Sequence, residues 1–153
     1  MSQSSLPAQR PQEDALAIFL DRLHQVLDTD CAGREHDWVE AVEDALARLE
    51  AALQQHQAAA WHPEGPLAEI DQTRPTLVRK ADELRNDYED LARQLPALRE
   101  QVRRAAEAIR LDGGDIAALR QQVEQLLAGL QEKREAEMKL VLDSVNTDIG
   151  AGD

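Results

Sequence analysis

The sequence predicts an all-α fold: an antiparallel, up-and-down four-helix bundle with a short first helix and three long ones. Three observations lead there. Ala and Leu dominate the apolar residues while aromatics supply only 3% of the 153 positions, a composition that favours helix over strand. Apolar residues recur at steps of three and four along each long segment, which lines them on one helical face. Pro and Gly clusters interrupt the chain at three places and fold it back, which argues against one continuous coiled coil. With 42% hydrophobic residues there is enough to bury a core, so the 31% charged residues read as a wet surface rather than as disorder.

The elements follow in order. Residues 1–10, rich in Ser, Gln and Pro, are expected to form a disordered tail ahead of a single bundle domain over 11–145. Pro11 suits a first helical turn, with Glu13 and Asp14 at the positive end of the helix dipole. The first helix then spans about 11–28 on a stripe of Leu16, Phe19, Leu23 and Val26. A second helix over 36–61 carries Val39, Val42, Leu46, Leu49, Leu53, His56 and Ala60 without a slip in phase. Pro63, Gly65 and Pro66 end it, and 67–71 can make a short helical turn.

Pro75 opens the third helix, whose stripe runs from Leu77 through Leu84, Tyr88, Leu95 and Val102 to Ile109. The stripe keeps its phase across Pro96, which predicts a kink rather than a break. Asp112 to Asp115 forms a tight connection, with Asp115 placed to cap the last helix. Ile116, Leu119, Val123, Leu126, Leu130, Lys133, Glu137 and Leu140 then carry the fourth helix to about Val145, and 146–153 is expected to be a flexible tail.

Charge and cysteine usage narrow the setting. A formal net charge of −13 repels phosphate backbones and anionic membranes, so neither nucleic acid nor membrane is an expected partner. Arg99, Arg103, Arg104 and Arg110 make the most basic stretch, but Glu100 and Glu107 interleave it as on a solvated face. The lone Cys31 has no internal disulfide partner, and Met1 to Gln9 lacks the apolar run of a signal peptide. The cytoplasm is the expected location.

Four positions in core phase are not aliphatic: His56, Tyr88, Lys133 and Glu137. Tyr88 lies 23 residues before Leu111, and Glu137 lies 22 residues after Asp115. In an antiparallel pair those positions stand at nearly the same height. Lys133 and Glu137 are four apart and share a face, so they are expected to pair. Burying an unpaired charge is costly, which leaves three accounts: an internal hydrogen-bond network, a snorkelling Lys133–Glu137 pair at the surface, or a bound ion or small ligand.

The same residues carry a resemblance. The run from Leu49 to His56 and Ala60, the segment Leu84-Arg85-Asn86-Asp87-Tyr88 and the spacing of Lys133 and Glu137 resemble three motifs of the bacterial hemerythrin-like four-helix bundles. In that family His-x-x-x-Glu, Leu-x-x-Glu-His and a second His-x-x-x-Glu hold a di-iron centre. Here Ala60 stands for Glu, Asp87 for Glu, Tyr88 for His and Lys133 for His, while His56 and Glu137 keep ligand types. An ammonium repels a cation and two remaining ligands do not hold two irons, so the resemblance implies a degenerate site with no metal and no cofactor.

The expected function is then that of a non-enzymatic binding, accessory or regulatory protein, with an unknown protein partner or a second copy. Two alternatives stand beside it. One is an iron or oxygen protein with a non-standard set drawn from His24, His56, Glu137 and acids such as Asp90. The other is a structural module that forms a homodimer. His62-Pro63-Glu64 reads as a solvated loop, and no phosphate-binding Gly loop or nucleophile–base pair is present.

Overall fold

The computed structural model describes residues 5–70 and 72–151, and for 5–14 and 147–151 it describes the backbone alone. Among the described residues the chain forms four helices and no strand: α1 (Ser5–Asp28), α2 (Glu35–Ala60), α3 (Pro75–Glu107) and α4 (Gly113–Ala151).

The striped positions build one core. Leu16, Leu23, Val39, Leu46, Leu49 and Leu130 have no exposed surface. Full burial of such a side chain contributes about 1.5–3 kcal/mol, far more than helix propensity does at any one position. The registers are read from individual contacts. Between α2 and α3, His36 reaches Ala108 and Glu50 reaches Arg99. Between α3 and α4, Lys133 meets Asp87, while Gly129 lies against Leu91. In these two helix pairs one number rises as the other falls, as it does for helices packed in opposite senses.

Several boundaries differ from the sequence reading. Helix α1 begins at Ser5 instead of about 11, so the backbone is helical over 5–10; Met1–Ser4 lie outside the described residues. Pro7 falls in the first turn, where its missing N–H has no intrahelical partner to lose. Helix α4 continues past Val145 to Ala151, since no proline stops it; the expected tail is helical over 146–151, and Gly152 and Asp153 lie outside the described residues. Segment 67–70 makes turns instead of a helical turn, yet it buries Leu67 and Ile70 under the end of the bundle; Asp71 lies outside the described residues.

Helix α3 runs unbroken through Pro96, with Leu95 fully buried and Leu98 nearly so. It stops at Glu107, before the stripe is complete. Ala108 turns to an extended conformation and its carbonyl lies 2.6 Å from His36 Nε2, a partner the helix could not offer. Ile109 is consequently 94% exposed rather than part of the core. The α1–α2 connection turns at Gly33, whose φ of 78° suits a residue without a Cβ.

Candidate functional site

Three helices meet at one polar point. His56 comes from the last turn of α2, Tyr88 from the middle of α3 and Glu137 from α4. Each stands in the apolar phase of its helix, so folding the three stripes onto a common core turns all three side chains inward. Tyr88 has no exposed surface, and the side chains of His56 and Glu137 are each 11% exposed.

Glu137 Oε1 is the hub. It lies 2.7 Å from His56 Nε2 and accepts the Tyr88 hydroxyl proton at 2.7 Å. A carboxylate only accepts, so the hydrogen bond assigns a proton to Nε2 of the imidazole. The rings close over this pair: His56 and Tyr88 lie 5.7 Å apart with a tilt of 60°, and Trp61 meets Tyr88 edge-on at 5.8 Å. Burial pushes the Tyr88 hydroxyl far above the usual phenol range, and the adjacent Glu137 charge and hydrogen bond push it further, with a lesser opposing pull from Arg134.

Lys133 is not part of this centre. Its ammonium lies 3.3 Å from Asp87 and 3.8 Å from Glu132, with 27% of the side chain exposed. The expected Lys133–Glu137 pair is therefore replaced by a bridge from α4 to α3 on the flank of the bundle. The four-residue spacing allows that pairing, but the buried Glu137 carboxylate is already held by two donors, and Asp87 offers Lys133 a wetter partner. Trp61 closes α2, as the expected helix over 36–61 has it, but its edge-on contact with Tyr88 at this polar point has no signal in the sequence spacing.

The remaining candidates lie apart. His24 is exposed and pairs with Asp28 within α1, while Asp90 is exposed and pairs with Arg93. His62 accepts the Glu64 backbone N–H in an exposed turn, and half-buried Cys31 lies 3.7 Å from an Arg120 donor. Among the described residues no group of three or more His, Cys, Asp or Glu is arranged to hold a metal ion. A di-iron centre does not fit this geometry. His56 and Glu137 face each other at hydrogen-bonding distance, and among the described residues no further His, Cys, Asp or Glu is grouped with them. Nor does any described helix have the length and apolarity to cross a membrane.

No protein-family model, no curated protein and no solved structure matches the chain. The functional reading rests on its own residues.

Proposed function

We propose that the chain is a non-enzymatic binding or accessory protein, a hemerythrin-like helical bundle in which a hydrogen-bonded lock occupies the place of a di-iron site. One observation carries this reading: both donors of the polar centre, His56 and Tyr88, converge on the same oxygen of Glu137. Here the buried donors are directed at each other's shared acceptor, and the product is rigidity between three helices. The net charge of −13 disfavours nucleic acid as the partner, and the single Cys31 is in keeping with a cytoplasmic setting.

Metal analysis of protein purified from iron-supplemented cells tests the reading. We expect no stoichiometric iron, and about two irons per chain, the content of di-iron bundles, would overturn it.

A further inference from the structure

The chain has three lysines against 14 arginines, and all three lysines, Lys80, Lys133 and Lys139, line one groove between α3 and α4. The groove encloses about 220 Å³, and Glu83, Asp87 and Asp143 border it as well. By formal charge the six groups cancel, but they are not equally free. Asp87 is held by Lys133 at 3.3 Å, and Asp143 is already engaged within the chain. Lys80, Lys139 and Glu83 have no ion-pair partner among the described residues. Two ammonium groups and one carboxylate are left uncommitted.

Register brings the two ammonium groups together. Counting on from the Lys133–Asp87 and Gly129–Leu91 contacts, Lys80 stands opposite Leu140, and Lys139 is the residue before it, about 1.5 Å of rise away. Lys80 and Lys139 therefore rise from facing walls of the groove at the same height, where like charges repel. Both are exposed, so an ion from solution can reach them. An anion between them replaces that repulsion with two charge-assisted contacts, and a dianion gains from both at once. A phosphoryl group suits the place, since lysine meets phosphate as a point charge. Glu83, one turn from Lys80 on α3, opposes the anion, and together with the net charge of −13 it keeps the binding weak.

We infer that the α3–α4 groove is a phosphate-binding site in which Lys80 and Lys139 hold one phosphoryl group from opposite walls. The ligand class is inorganic phosphate or a small phosphomonoester. A nucleic-acid strand, with its many charges, is repelled by the chain as a whole. The inference gives the binding reading above a ligand class and rests on that reading only for its purpose. Its test reads the groove and leaves His56, Tyr88 and Glu137 untouched, so the two fail separately.

The experiment titrates the isotope-labelled full chain with inorganic phosphate, and separately with glycerol phosphate, while amide NMR shifts are followed at constant pH and ionic strength. Saturable shifts are expected around Lys80 and Lys139. Lys80→Gln and Lys139→Gln each raise the dissociation constant about tenfold, and Glu83→Gln lowers it about threefold. Arg79→Gln removes an exposed cation of α3 outside the groove and changes it by less than about twofold. Tighter binding of the free ion assigns the groove to inorganic phosphate, and tighter binding of the ester assigns it to a phosphomonoester. Shifts that do not saturate overturn the inference. So do Lys80→Gln and Lys139→Gln variants that bind as the parent does, or an Arg79→Gln loss equal to theirs, which reports overall charge alone. All four substitutions lie at exposed positions, and circular dichroism checks that each variant keeps its helices.

Discussion

Tyr88 donates its phenolic proton to Glu137 across 2.7 Å, although 49 residues separate them in sequence. The bond joins the middle of α3 to α4 at the level where His56 arrives from α2. Its position inside the core gives it weight. Both donors land on one oxygen of a buried carboxylate, so the loss of either leaves that group with one partner fewer.

Removing the hydroxyl alone isolates that contribution. Tyr88→Phe keeps the ring contacts with His56 and Trp61 and is expected to destabilise the fold by about 1.5–3 kcal/mol, the range for hydrogen bonds to charged groups. Thermal unfolding followed by circular dichroism should show a fall of about 2–4 °C for each kcal/mol. An unchanged melting temperature would count against a structural lock.

The chain has one tyrosine, so its ionisation can be followed by absorbance without overlap. Burial first, and Glu137 second, hold the folded-state value above that of the unfolded chain. The neutral phenol therefore contributes stability that is fully present below about pH 10 and declines as pH rises past that point, because the unfolded chain then gains by ionising. Phenolate absorbance should appear together with unfolding rather than before it, and Tyr88→Phe should flatten the alkaline loss of stability. A free titration near pH 10 in the folded protein would contradict the burial.

Glu137→Ala and Lys133→Ala separate the centre from its flank. The first leaves His56 Nε2 and the Tyr88 hydroxyl without their acceptor, at about 1–3 kcal/mol for each unsatisfied group. The second removes a partly exposed bridge to Asp87 and should stay within about 0.5 kcal/mol of the parent. Denaturant midpoints measured side by side decide the matter, and comparable losses from both would show Lys133 to belong to the interior.

Gly65→Ala tests the connection that closes the bundle beside Trp61. A Cβ there would collide with the carbonyl oxygen of Ala59 and lie 2.8 Å from that of Ala60, both of them backbone atoms. We expect a loss of about 1–3 kcal/mol, as for other forced overpacking, with a shift in Trp61 fluorescence as its indole moves from Tyr88. Gly129→Ala makes the useful contrast. Its new methyl would meet only the tip of the Leu91 side chain at 3.1 Å, which can rotate away.

What could be read from the sequence, and why, is clearest in the α4 pair. Glu137 stood in apolar phase and is buried, and Lys133 stood in the same phase yet turns to Asp87. Phase reports the direction of a Cα–Cβ bond, but a lysine has three further carbons with which to leave that direction for water. Tyr88 and Glu137 share a height as the residue counts imply, because rise per residue is a constant of the helix.

The sequence by itself determined the four helices and most of the residues lining each inward face, since propensity, periodicity and Pro/Gly breaks act over a few neighbouring residues. Only the tertiary structure decided that Glu137 takes both His56 and Tyr88, that Trp61 covers them and that α3 ends where His36 meets the Ala108 carbonyl. Each of those depends on how far one helix is rotated and slid against another. That is settled by the packing of the whole core and by where buried polar groups find partners, which no local window contains.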